Sequence, residues 1–206
     1  MIGRRFFLAS AASAAALAAP PALAAVDPEA AKTFIRALAN EAIQLMGRKD
    51  LPQPERIQKF RELFTKGFDV EAIGRFVLGR YWRDATDAEQ REYLKLFEDL
   101  ILATYAGRFS EYSGETLTVL DAKADEDRFT LVTSQINRTG GSPPIRLDWR
   151  VAEGKGGFKI VDVIVEAVSM SVTQRSEFAS VIQRGGGKIG GLLAALRDKT
   201  KNLQTR

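Results

Sequence analysis

The 206-residue chain has no cysteine and no histidine. The first absence excludes disulfides, thiol nucleophiles and thiolate metal sites. The second removes the commonest general base and the commonest metal ligand. A metal site would have to be built from carboxylates and other oxygens alone, and no Ser–His pair exists to activate a nucleophile. No glycine-rich phosphate loop follows a strand; "RGGGKIGG", residues 184–191, lies between helical patterns and reads as a joint. Strong charge of one sign is missing too. The 30 basic and 26 acidic residues leave +4, which does not suggest nucleic acid as a partner but allows weak attraction to anionic lipid surfaces.

What is present begins with a leader. Arg4 and Arg5 precede an Ala- and Leu-rich run, and Ala22-Leu23-Ala24 has the A-x-A form of a cleavage site. The sequence therefore predicts an export signal over residues 1–24, cut after Ala24 or one of the next two residues, and one domain over 25–206. "RRFFL" also resembles a twin-arginine signal, so both export routes stay open. The apolar run is too short and too rich in alanine for a membrane anchor. Both charges of the leader are basic, so its loss lowers the balance from +4 to +2.

The mature chain opens helical. Asp27 and Pro28 suit a helix start, and Phe34, Ile35, Leu38, Ile43 and Leu45 form a stripe. "DLPQP" breaks it, and a second helix follows with Ile57, Phe60, Leu63 and Phe64. Asp69 caps a short third helix carrying Ile73, Phe76 and Val77. Thr86 and Glu89 have capping-box spacing and open the longest helix, roughly residues 87–110. After Ser113-Gly114 the period becomes two. "TLTVLDA", "RFTLVTSQI", "IRLDWRV" and "FKIVDVIV" read as four strands with short links, hence antiparallel neighbours. Two helical segments close the chain, the last with Ile189, Leu192, Leu193 and Leu196. This segment reads either as a fixed core helix or as a flap loosened by the flanking glycines. The fold class is α+β, a single domain of several helices on a roughly four-stranded antiparallel twisted sheet.

Candidate chemistry is thin. Asp121, Asp125, Glu126 and Asp127 superficially resemble a calcium loop but lack its turn glycine and closing glutamate, so they read as a solvated hairpin connection. Asp162, Glu166 and Asp148 alternate with Arg146, Arg150 and Lys159, and cross-strand ion pairing explains them more simply than acid–base catalysis. Arg80 and Arg83 suit ion pairs with Asp84 or Asp87, or contact with a phosphate. Arg175 suits a pair with Glu177. Val161, Val163 and Val165 share one strand face, and Ile145, Leu147, Trp149 and Val151 share a face of the strand before it. Whether these faces close into a core or leave an apolar pocket is not decided by periodicity.

Residues 68–118, together with "FVLGRYWR", "YLKLFEDLILATYAGRFSEY" and "FKIVDVIVEAVSMSVTQRSEFASVI", resemble the MlaC, or toluene-tolerance, family of periplasmic phospholipid-binding proteins. Ala167 stands where the family usually has glycine, and Gln174 where it often has an aromatic residue. These departures leave a hopanoid-associated branch open. The resemblance implies a soluble, monomeric periplasmic carrier of phospholipid, with no catalytic residue, metal or cofactor. It would work between an outer-membrane lipoprotein complex and an inner-membrane ABC transporter, helping maintain outer-membrane lipid asymmetry. It also implies that sheet and helices enclose an apolar cavity for lipid tails. Val161, Val163, Val165, Leu147 and Trp149 would line it, with Phe97, Ile101 and Tyr105 opposite and Phe76 nearby. Two other readings remain: a cone-shaped isomerase or dehydratase using Asp148 or Asp162, and an interaction module whose interior is closed.

Overall fold

The computed structural model describes residues 27–106, 111–126, 128–154 and 156–204. The predicted leader lies outside them, as do residues 107–110 of the long helix and Asp127 of the acidic run. Each early helix starts where a local cap dictates. In α1 (Pro28–Gly47), Asp27 Oδ1 accepts the Glu29 N–H at 3.2 Å. α2 spans Gln53–Gly67. In α3 (Val70–Leu78), Asp69 Oδ1 accepts the Ala72 N–H at 2.9 Å. A single turn, α4 (Tyr81–Asp84), leads into α5 (Asp87–Ala106). There the reciprocal box forms: the Thr86 N–H donates to Glu89 Oε2 at 2.9 Å and the Glu89 N–H to Thr86 Oγ1 at 3.3 Å.

The sheet is antiparallel, with its strands in chain order: β1 (Thr116–Asp125), β2 (Phe129–Asn137), β3 (Ile145–Gly154), β4 (Gly157–Val165) and β5 (Val168–Ser169). The fifth strand exceeds the expected four; two residues are too few to show alternation. It exists because Glu166 and Ala167 turn the chain back with φ of 47° and 66°, as a two-residue hairpin requires. Glu166 is therefore a turn residue, not a member of the strand face shared with Asp162. Its N–H donates to the Arg146 carbonyl at 3.1 Å, and its Oε1 accepts the Arg146 N–H at 2.6 Å.

Two bulges bend the sheet. Val119 pairs with Ser134 and Asp121 with Thr133, which leaves Leu120 over. Arg150 pairs with Asp162 and Val151 with Ile160, which leaves Val161 over. Extra residues of this kind increase local twist and curl a sheet. The inner face gathers Val132, Trp149, Val151, Ile160 and Val163; the outer face carries Thr133, Arg146, Asp148, Arg150 and Asp162.

Apolar residues collect into two clusters. In one, Ala31, Ile35 and Leu38 of α1 cover Val132, Val151 and Ile160, with Trp149 and Val163 packed alongside. The other is helical. Ile73, Val77, Tyr93, Phe97 and Leu100 meet Phe178 and Ile182 of α6 (Met170–Arg184) and Leu192, Leu193 and Leu196 of α7 (Ile189–Gln204). Tyr93, at zero exposure, donates its hydroxyl to the Gly74 carbonyl at 2.9 Å, and burial pushes its phenol pKa up. Phe68 packs against both clusters. At the joint before α7 two glycines meet closely, since a Cβ on Gly191 would lie 3.2 Å from the Gly185 Cα, while Gly186, Gly187 and Gly190 face open space. α7 rests mainly on α5 and completes the helical core.

Ala167 carries a Cβ in the left-handed region, where a side chain costs on the order of 1 kcal/mol. Ala167→Gly is expected to raise unfolding free energy in urea by about that amount. Unchanged or reduced stability would contradict strain at this turn.

Candidate functional site: the inner face of the sheet

Helices are distributed unevenly over the sheet. α1 lies over β1 and β2, while α2, α3 and α6 meet β4. β3 lies between these two groups. On its inner side Leu147 pairs with Val165 and Trp149 with Val163. Trp149, Val163 and Val165 are only half-buried, while Leu147 is buried. The Trp149 indole N–H donates to Ser134 Oγ at 2.8 Å, and Ser134 donates to the Leu147 carbonyl at 3.3 Å. This satisfies the polar atoms of the row and leaves hydrocarbon to face the helices. The face is thus an apolar trough with no charged side chain in these pairs.

The predicted lining set does not come together as one wall. Leu147, Trp149, Val163 and Val165 do, with Val161 at the bulge beside them. Phe97 and Ile101 belong to the helical cluster instead. Phe97 stacks on Tyr93 at 5.8 Å and meets Phe178 edge-on at 6.3 Å, because the wide apolar face of α5 is divided among its neighbouring helices. Tyr105 and Phe76 are 43% and 44% exposed. Strict alternation along β4 missed Ile160 and Phe158, which the bulge turns to the inner side. The trace in the sequence is that outward-facing Lys159 and Asp162 stand three apart rather than two. Two depressions on the surface, of about 600 and 410 Å³, lie elsewhere. The first is bounded by Glu41, Leu45, Arg48 and Lys59, the second by Ala195, Asp198 and Leu203; neither touches the trough.

Residues 36–198 match the profile of the MlaC protein family. The chain belongs to the MlaC family. Over 122 residues it is 30% identical to the intermembrane phospholipid transport system binding protein MlaC of Haemophilus influenzae, covering 57% of this chain and 56% of that protein. Over 124 residues it is 26% identical to the toluene tolerance protein ttg2D of Pseudomonas putida, covering 59% and 56%. The chain thus spans a little over half the length of the curated relatives it matches. A phospholipid-binding protein from Ralstonia solanacearum, solved in complex with a phospholipid, superposes with a TM-score of 0.76 at 25% identity, covering 84% of this chain and 98% of that one. The α+β fold is therefore that of a phospholipid-binding member of the same structural group.

The carboxylates Asp148 and Asp162 of this MlaC-family chain lie away from the trough. Asp148 is on the outer face. Its carboxylate accepts Thr133 Oγ1 at 2.5 Å and two Arg146 nitrogens at 3.1 Å. Burial opposes its ionisation, but these donors outweigh it and hold the group below the usual carboxylate range. Arg150 reaches Asp125 at 2.7 Å. Asp148 thus forms an ion pair, but with Arg146 of its own strand rather than across the sheet, and Arg150 reaches over to β1; Asp162 instead accepts the Ser169 hydroxyl at 2.6 Å and the Ser171 N–H at 3.1 Å. It anchors the start of α6. Lys159 likewise serves a helix end: its Nζ donates to the carbonyls of Thr65 and Lys66 at 2.8 Å and closes α2. Arg80 bonds the Tyr81 hydroxyl at 2.9 Å, and Arg175 stacks over Phe76 at 5.1 Å. The expected pair of Arg175 with Glu177 gives way to one between Gln174 and Glu177, at 3.0 Å. Among the described residues no group of three or more acidic side chains can hold a metal ion.

Asp162→Ala is expected to destabilise the fold by about 2 kcal/mol, since it removes a cap and strips a buried donor. Hydrogen exchange at the first turn of α6 should rise with it. Wild-type stability and protection would show that Asp162 is not an anchor.

Proposed function

We propose that this chain is a carrier that binds phospholipid acyl chains along the trough of β3 and β4. The observation that carries the reading is the apolar row of buried Leu147 and half-buried Trp149, Val163 and Val165, lying between two groups of helices in an MlaC-family fold. Support comes from the names of the relatives, one for phospholipid transport and one solved with a phospholipid bound.

Transfer energies give the mechanism. Burying a methylene is worth about 0.8 kcal/mol, so exposing two chains of about 15 methylenes each costs on the order of 24 kcal/mol. A free phospholipid therefore crosses water very slowly. A carrier exchanges bilayer hydrocarbon for protein hydrocarbon at nearly zero net cost. The tails enter between the sheet cluster and the helical cluster, which Phe68, packed against both, bridges. Entry there parts apolar surfaces without breaking the backbone ladder. The head group stays in water at the mouth. No bond is made or broken, and the two buried carboxylates keep structural roles.

The place of work follows from the same reading. The chain is exported, its leader is removed, and it moves through the periplasm between an outer-membrane complex and an inner-membrane ABC transporter. The partners set direction, because near-neutral exchange sets none.

Protein purified from a bacterial periplasm should release phospholipid on solvent extraction, as read by mass spectrometry. Val163→Trp fills the trough and should lower bound lipid per folded molecule several-fold, at a stability cost of about 1–3 kcal/mol. Extracts free of phospholipid, or unchanged loading in the variant, would overturn the carrier or its site respectively.

A further inference from the structure

Ion pairs between helices divide along the same line as the two apolar clusters. On the sheet side, Lys66 of α2 bonds Glu41 of α1 at 2.7 Å, and Leu63 of α2 packs against the cluster under α1. On the other side, Arg197 of α7 bonds Glu92 of α5 at 2.6 Å, and Phe97 and Leu100 of α5 belong to the helical cluster. Among the ion pairs of the described residues, only those of Arg61 join a helix of one group to a helix of the other.

Arg61, on α2, spreads its guanidinium over two acids of α5. One nitrogen donates to Glu98 and the other to Asp99 at 2.8 Å. Lys95, one turn earlier on α5, donates to the second Asp99 oxygen at 2.7 Å. The Asp99 side chain is only 12% exposed. Burial opposes its ionisation, but the bonds from Lys95 and Arg61 outweigh burial and hold the carboxyl below its usual range. Arg61 therefore cannot swing away without stripping a mostly buried carboxylate of one of its two donors. The apolar contacts between the clusters have no such hold, since an incoming tail replaces hydrocarbon with hydrocarbon.

We propose that the bonds from Arg61 to Glu98 and Asp99 are a latch across the gap between the clusters, and that its opening governs how fast an acyl chain enters or leaves. The inference rests on the carrier reading and adds a rate-setting device to it. Near-neutral exchange calls for one, because a carrier without a barrier loses its cargo to any apolar surface it meets. The latch closes over an empty or a loaded interior alike. It therefore sets the rates of loading and release by the same factor and leaves their ratio unchanged.

Stopped-flow exchange of a phospholipid with a fluorescent acyl chain, presented in phosphatidylcholine vesicles, tests it on the full mature chain. Arg61→Gln should load and release about tenfold faster than the parent, since two partly exposed pairs are lost, with the final fraction loaded unchanged. Arg61→Lys, a point charge in place of the fork, should fall between. The sequence has no cysteine, so Arg61→Cys with Lys95→Cys places the only two thiols where both original side chains converge on Asp99. With the thiols free, exchange should be as fast as in Arg61→Gln. A cleavable bis-maleimide linker between them should halt exchange, and cleavage should restore it in the same folded sample. Parental rates in Arg61→Gln, or exchange indifferent to the linker, overturn the latch. So does a changed loaded fraction with an unchanged release rate, which would make Arg61 a lipid contact. A parent that takes up no phospholipid overturns the carrier reading and the latch with it; uptake by the parent without these rate changes overturns the latch alone.

Discussion

Three residues of β4, Lys159, Ile160 and Asp162, tie the helices to the sheet. Lys159 closes α2 by donating to two terminal carbonyls. The Ile160 carbonyl accepts the Asp69 N–H at 3.0 Å, just before α3 begins. Val161 is the unpaired residue of the bulge, and Asp162 anchors the start of α6. Each link satisfies a helix-end group that would otherwise lack a partner. The bulge makes them compatible, because it lets Ile160 bury inward while Lys159 and Asp162 both face outward.

This attachment has a consequence for the interior. The helices are held along one strand at the far side of the sheet, and α1 is held over β1 and β2. The interior therefore condenses as two clusters rather than one, with β3 between their supports. An apolar row that no helix fully covers is costly in a small protein unless it has an occupant. Under the proposed function hydrocarbon tails would be that occupant, and they need no new hydrogen bond, which suits a row whose polar atoms, on Trp149 and Ser134, are already paired.

Much of the architecture was legible because it is encoded locally. Asp27, Asp69 and the Thr86–Glu89 box mark their helix starts within three residues, and the period-two runs mark β1 to β4. Long-range placement was not legible. The apolar face of α5 is wide enough to serve several neighbours, so nothing local says that Phe97 meets Phe178 rather than the valines of β4. β5 is two residues long, and its turn lacks the glycine that would signal a hairpin. Asp162 and Glu166 fit an ion-pair pattern as well as their true roles, since caps and turns use the same carboxylates. Trp149 and Val163 were readable as neighbours on one face of the sheet because alternation holds up to the bulge.

The central claim is that acyl chains lie against the inner face of β3 and β4. The chain has two tryptophans, so Trp82→Phe leaves Trp149 as the sole indole. Its fluorescence can then be followed as the protein is loaded with phospholipid brominated along the acyl chain, a short-range quencher. The account predicts that Trp149 emission falls by at least half relative to the same lipid unbrominated. Full emission with brominated lipid demonstrably bound would place the tails elsewhere and contradict it.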